Sequence, residues 1–128
     1  MLSFVLLFIF RCFCALASLL TLSFPLIWQG KAVAKKLKFP ENSYTVMKLE
    51  LASLTSIRDF VANLKAFKSA RPLTHLVCNA AVYLPKDPKP SWTDDGFEMS
   101  MGVNHLGHFL LVNLLLNDMK KARVSLAC

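Results

Sequence analysis

Leu76-Val77-Cys78-Asn79-Ala80-Ala81, followed downstream by Asn104-His105-Leu106-Gly107-His108-Phe109, decides how this chain folds. The first run reads as a buried strand that ends in an Asn and two small residues. Its Leu, Val and Cys lack strict alternation, which suits a parallel strand covered on both faces. The second run lies on a long apolar helix with an Asn at its centre.

Working outward, Ser43 to Leu51 alternates apolar and polar residues, so Tyr44 to Glu50 is a strand candidate. A helix follows from about Ser56 to Phe67, capped by Ser53 or Thr55. Its residues Ile57, Phe60, Val61, Leu64 and Phe67 recur at helical spacing. Lys31 to Leu37 reads as the tail of an earlier helix, stopped by Phe39-Pro40 because proline disfavours helix in the residue before it. Arg71-Pro72 turns the chain into the strand Leu73 to Asn79. Val82 to Trp92 carries Pro85, Pro88 and Pro90 and is a loop. Thr93, Asp94 or Asp95 then caps a Leu-rich helix from about Gly96 to Lys121. Arg123 to Ala127 can begin a third strand. Strand and helix alternating at these lengths is the grammar of an open parallel sheet. The fold class is α/β, a partial Rossmann-like doubly wound parallel sheet of two to three strands with an apolar N-terminal helix.

The chain has 128 residues, 55% hydrophobic and 18% charged, with a net charge of +7. The apolar excess is concentrated in Met1 to Trp28, where Arg11 is the one charged side chain. This gives two regions: an apolar helix over 1–29, as a membrane anchor or displaced start, and a partial domain over 30–128. A spanning helix needs roughly 20 apolar residues, and an Arg near mid-span costs about 2.5–3.5 kcal/mol, which the flanking Leu, Ile and Phe can offset. A secretory signal is the rival reading, but a charged n-region is missing. The Lys and Arg residues form no stripe with interleaved aromatics, which argues against nucleic acid. Lys35, Lys36 and Lys38 make one small cluster; Lys120, Lys121 and Arg123 follow the end of the last helix, where cations meet the negative helix terminus. Cys12, Cys14, Cys78 and Cys128 have no metal or disulfide-framework spacing.

With both Asn motifs placed, residues from about Lys31 to Lys121 resemble the short-chain dehydrogenase/reductases, and within them the light-dependent NADPH:protochlorophyllide oxidoreductases of plants and cyanobacteria. The stretches that carry the resemblance are LVCNAAVYLP (Leu76 to Pro85), FEMSMGVNHLGHFLL (Phe97 to Leu111) and YTVMKLELASLTSIRDFV (Tyr44 to Val61). The resemblance implies an oxidoreductase of chlorophyll biosynthesis that uses light and NADPH to reduce one double bond of protochlorophyllide, located at the plastid membranes of the chloroplast. The first residues are not Ser- and Arg-rich as a transit peptide would be. By resemblance, Glu50-Leu51 matches the acidic-aliphatic pair that meets the adenine ring, with Glu where the family usually has Asp. Asn79, Ala80 and Ala81 match the small corner beside the cofactor ribose. Val82, Tyr83, Leu84 and Pro85 begin a loop on the pigment side. Asn104 matches the helix Asn that holds a water in the proton relay, since general acid chemistry needs resupply.

Two parts of such a site are missing. A dinucleotide site in this fold begins with a Gly-rich turn whose amides meet the pyrophosphate. The glycines here are Gly30, Gly96, Gly102 and Gly107, and none forms that pattern. The catalytic Tyr-x-x-x-Lys should lie downstream of Asn104, and none does. The one literal match, Tyr44 to Lys48, is rejected. On a strand the pair stands about 13 Å apart, at ~3.3 Å per residue, rather than one helical turn apart.

Other candidates have plainer explanations. His105 and His108 share a helix face, but no carboxylate or cysteine completes a metal set, so no metal is expected. Asp94 and Asp95 read as helix caps. Leu110 to Leu116 is core or subunit interface. Three readings of the whole remain: an inactive portion of a protochlorophyllide reductase; a membrane-anchored interaction protein that keeps half a reductase fold; and an incomplete reading of a longer coding region. The expected associations are membrane contact through 1–28 and self-association through the 96–121 helix.

Overall fold

The computed structural model describes residues 7–9, 20–24, 26–41, 43–68, 73, 75–84, 89–121 and 125–127. They form strands β1 (Leu7–Ile9), β2 (Leu20–Phe24), β3 (Tyr44–Lys48), β4 (His75–Cys78) and β5 (Ser125–Ala127). Helix α1 is Ile27–Lys36 and α2 is Leu54–Lys68. A last helical stretch begins as α3 (Met99–Met101), widens into a π-helical segment over Gly102–Gly107, and continues as α4 (His108–Lys121). The fold class read from the sequence is therefore met at the level of α/β.

The sheet corrects the rest of that expectation. It has five strands in the order β3-β2-β1-β4-β5, rather than two or three. The pairs β2/β3 and β4/β5 are parallel, but β1 is antiparallel to both its neighbours. Four strands thus run one way and the central one runs against them. The order is that of a doubly wound sheet, in which the chain crosses from one side of β1 to the other after β3. The expected apolar helix over 1–29 also gives way where the structure is described, because Leu7–Ile9 and Leu20–Phe24 are strands. Leu20-Thr21-Leu22-Ser23-Phe24 alternates apolar and polar residues with period two, a strand signal hidden inside a long apolar run. A spanning helix there would lose this pairing. Much of Met1 to Trp28, and the Arg71-Pro72 turn, lie outside the described residues. Among the described residues the one helix long and apolar enough to cross a membrane is Met99–Lys121.

Helices cover both faces of the sheet. Val46 and Tyr44, two residues apart on β3, pack with Ala34 and Val33 of α1 and with Phe39. Met47, on the opposite face, joins the main core with α2 and α4. That core is built from Leu49, Ile57, Phe60, Leu76, Leu111 and Leu115, all essentially inaccessible. Each such side chain contributes about 1.5–3 kcal/mol relative to exposure. Phe67, expected on the buried stripe of α2, lies in its last turn and is 38% exposed.

The caps differ from expectation in an informative way. Ser53 Oγ accepts from Ser56 N at 3.4 Å, as read from the sequence. Asp95 also serves α2: its Oδ2 accepts from Leu54 N at 2.7 Å, forty-one residues away in the chain. The last helix is capped instead by Glu98, whose carboxylate accepts from Ser100 N and Met101 N. These bonds hold the Glu98 carboxyl below its ordinary pKa, against a smaller opposing effect of desolvation. The helix starts at Met99 rather than near Gly96 because Thr93 to Glu98 is folded into a tight turn. Thr93 N donates to Phe97 O, Phe97 N donates to Thr93 Oγ1, and Gly96 has φ +80°.

Two glycines allow the last helix to approach this frame. A Cβ on Gly107 would stand 2.7 Å from Leu51 O and 3.2 Å from Gly102 O. A Cβ on Gly102 would collide with the Thr93 methyl. Gly107→Ala is therefore expected to destabilise the chain by about 1–3 kcal/mol, because backbone rather than a flexible side chain must give way. A thermal melt of the variant checks this.

The helices α2 and α4 are joined by an ion-pair cluster. Asp118 Oδ2 stands 3.2 Å from Lys65 Nζ, and its Oδ1 stands 3.0 Å from Lys68 Nζ. Lys65 Nζ also donates to Leu114 O at 3.2 Å. Burial alone raises the Asp118 pKa, but the hydrogen bonds and charges of Lys68 and Lys65 outweigh it, and the net shift is downward. A lowered folded-state pKa stabilises the fold above the unfolded value, and that contribution is lost as pH falls through the folded value. Asp118→Asn should cost up to about 1 kcal/mol at neutral pH, the scale of partly exposed pairs. Denaturation curves of variant and parent should converge once the pH falls below the ordinary aspartate range.

Candidate functional site

Strand β4 ends at Cys78 on the carboxyl edge of the sheet, beside the switch point between β1 and β4. Ligands of doubly wound folds bind outside this edge. A crevice of about 430 Å³ stands there, lined by Cys78, Ala80, Ala81, Asn104, His105, His108, Phe109 and Val112. The two alanines keep the corner shallow. Asn104, His108 and Val112 follow one another at i, i+4 and i+8 and form one wall from the last helix.

Asn104 is bound to the loop that leaves β4. Its Oδ1 accepts from Val82 N at 2.8 Å, and its Nδ2 donates to Val82 O at 2.9 Å. The side-chain amide thus stands in for a strand neighbour and satisfies both backbone groups of Val82. The pair of bonds also fixes which amide atom is oxygen and which is nitrogen. Asn104 lies within the π-helical segment, the kind of local widening that recurs at functional positions.

Behind Asn104 stands His108. Its Nδ1 lies 3.2 Å from the Asn104 carbonyl oxygen. A carbonyl only accepts, so Nδ1 is the donor in this contact. Nε2 is buried and has no hydrogen-bond partner among the described residues. His105 stacks against Phe109 with ring centroids 6.3 Å apart and an interplanar angle of 28°. Among the described residues, no group of three His, Cys, Asp or Glu side chains can hold a metal ion.

The site residues read from the sequence are only partly gathered here. Ala80, Ala81 and Asn104 line the crevice, whereas Asn79 is exposed and outside its lining. Val82 packs against the core and is held by Asn104. Tyr83 is 81% exposed, and Leu84 is half-buried. Glu50 and Leu51 stand at the end of β3, three places across the sheet from β4. Leu51 is 2% exposed, so its side chain belongs to the core. The Glu50 carboxylate accepts from Ala52 N at 3.0 Å, which shapes the turn into α2. Cys78, His108, Phe109 and Val112 were not singled out as site residues. The repeat Asn104, His108, Val112 at four-residue spacing was the signal that could have found them.

A nicotinamide dinucleotide, which this kind of fold implies, finds only part of its site in the residues present. The small corner Ala80-Ala81 suits close approach of a ring. The pyrophosphate end does not fit. Leu7 pairs with Cys78 and Phe8 with Val77, so β1 begins at the crevice edge and Ile9 lies toward the opposite edge. The turn that follows the first strand in a dinucleotide fold therefore has no place at the switch point. No glycine precedes Gly30 to build one.

Truncating Asn104 leaves two backbone groups of Val82 without partners and frees the loop. Asn104→Ala should cost about 1–3 kcal/mol, the scale of unsatisfied polar groups. Asn104→Asp keeps the acceptor but loses the donor, and should recover part of that loss; chemical denaturation of the three proteins checks the ranking.

Comparison with known proteins agrees with this frame. No family model matches the chain. Protochlorophyllide reductase from Chlamydomonas reinhardtii, described as chloroplastic, is 56% identical over 94 residues, which cover 73% of this chain and 23% of that protein. Protochlorophyllide reductase A from Oryza sativa subsp. japonica is 56% identical over 94 residues, 73% of this chain and 24% of that protein. The chain thus spans about a quarter of the length of these curated relatives. A crystal structure of an uncharacterized protein from Mycobacterium paratuberculosis superposes with a TM-score of 0.60 at 31% identity, over 77% of this chain and 32% of that one. A metagenomic short-chain oxidoreductase solved in complex with NADP gives a TM-score of 0.63 at 18% identity, over 82% of this chain and 47% of that one. The matched segment of this chain is thus similar to protochlorophyllide reductases in sequence, and its fold is that of the solved short-chain oxidoreductase.

Proposed function

We propose that this chain supplies the floor of a protochlorophyllide reductase site in the chloroplast: the Cys78 to Leu84 corner and the Asn104 wall against which pigment and nicotinamide are set. In the complete reaction NADPH supplies hydride to one double bond of protochlorophyllide under light. The observation that carries the reading is the two-bond pairing of Asn104 with Val82. It joins two motifs more than twenty residues apart into one rigid wall, inside a segment 56% identical to a reductase of that name.

The chain's own residues limit what it does. Asn104 spends its side chain on Val82 and its backbone carbonyl on His108 Nδ1, which leaves His105 and His108 as the polar side chains that the last helix offers on the wall. Ala80 and Ala81 permit close approach of a flat ligand, and Phe109 and Val112 give it apolar surface. Among the described residues no lysine or tyrosine lines the crevice to pass a proton onward. Combined with the missing phosphate cradle, this predicts that the 128-residue chain does not turn over pigment by itself. Glu50 and Asn79 enter this reading only through their backbone positions at the strand ends.

A segment exchange tests it. The matching 94 residues of the Chlamydomonas protein are replaced by those of this chain. The folded chimera should reduce protochlorophyllide with NADPH under illumination, while the purified chain should show no turnover. A chimera that folds but does not reduce the pigment contradicts the proposal, as does turnover by the chain alone.

A further inference from the structure

Every helix carbonyl needs a donor, and the widened turn over Gly102–Gly107 changes where the donors stand. In an ordinary α-helix the Asn104 carbonyl takes the backbone N–H four residues on, which is that of His108. Here that amide goes elsewhere: His108 N donates to His105 O, three residues back. The ring of the same residue turns back instead, and its Nδ1 lies 3.2 Å from Asn104 O. His108 thus offers from its side chain the hydrogen bond that its backbone withholds.

A step of four residues suits such a bond. Further along the helix, Asn113 Nδ2 donates to Phe109 O at 2.7 Å, again across four residues. That second bond shows which other side chain would serve. An asparagine amide carries an N–H where the imidazole has Nδ1, and it reaches the same carbonyl. A phenyl ring fills the space of the imidazole and donates nothing.

The rest of the imidazole gives little in return. His108 Nε2 is buried with no hydrogen-bond partner among the described residues. A buried polar atom in that position costs stability, which an apolar side chain would spare. The use of the ring is therefore at Nδ1, on the backbone of Asn104. Asn104 in turn holds Val82 through both its amide atoms, at 2.8 and 2.9 Å.

We infer that His108 is a positioning residue: its Nδ1 keeps the turn widened, and the widened turn aims the Asn104 amide at Val82. Without that donor, Asn104 O takes back the His108 N–H and the turn closes into ordinary α-helix. Closing it rotates Asn104 about the helix axis relative to α4, and both bonds to Val82 are lost. Gly102 and Gly107 permit the close approach of the helix; His108 selects the register in which that approach is used. This geometric role stands by itself, and only its consequence for pigment rests on the reductase reading.

Two substitutions at one position test it, His108→Phe and His108→Asn in the full chain. Amide exchange is followed at Val82 and at Leu111 and Leu115, both fully buried on α4. With phenylalanine, Val82 should exchange about tenfold faster, the scale of one hydrogen bond, while Leu111 and Leu115 keep the parent rate. With asparagine, Val82 should stay within about twofold of the parent. Val82 unchanged by phenylalanine, or accelerated equally by asparagine, would overturn the inference. Acceleration of all three amides together would do the same, since it reports loss of the fold rather than of one register. In the exchanged-segment reductase, His108→Phe should raise KM for protochlorophyllide about fivefold with kcat nearly kept, and His108→Asn should restore it. KM unmoved by phenylalanine in an active parent would contradict that consequence. A parent chimera that turns over no pigment contradicts the reductase reading alone, and the exchange rates still decide the role of His108.

Discussion

The arrangement rests on how closely the last helix approaches the turn after β3. Gly107 brings its backbone against Leu51 O, and Gly102 brings it against Thr93. Only at that distance can the helix widen over Gly102–Gly107 and present Asn104 to Val82. The two-way amide pairing then holds the β4 exit in place and gives the crevice its wall. Asp95 closes the same frame from the other direction by capping α2. Local backbone geometry, ligand-facing surface and tertiary packing are thus one coupled unit, with glycine at the two positions where a methyl group would separate them.

The sheet explains why a reductase-like floor does not amount to a dinucleotide site. Doubly wound proteins place phosphate at the turn that follows the first strand. In this chain the central strand runs against its neighbours, so its carboxyl end lies at the edge of the sheet opposite the crevice. The strand order, the helices on both faces and the small corner at Ala80-Ala81 are retained.

Much of this was legible in the residues. Alternation gave β3, the helical spacing of Ile57, Phe60, Val61 and Leu64 gave α2, and the apolar run ending in Asn79-Ala80-Ala81 gave β4. Asn104 was singled out through family resemblance, but its bond to Val82 was not legible. A partner twenty-two residues away is set by helix placement rather than by local pattern. The strands near the N-terminus were missed because uniform hydrophobicity masked the alternation in Leu20 to Phe24, and because length favoured a helix. Asp94 and Asp95 were read as caps of the nearer helix. The tight turn at Gly96 instead directs Asp95 toward α2. The antiparallel course of β1 has no local sequence signal, since direction is decided by the connection and not by the strand itself.

Amide hydrogen exchange at Val82 reports most directly on the pairing with Asn104. If the Asn104 side chain accepts from this N–H in the folded state, Val82 should exchange orders of magnitude more slowly than an open loop amide, near the rate of the α4 core. Exchange at the rate of its exposed neighbour Tyr83, with the rest of the helix protected, would contradict the account.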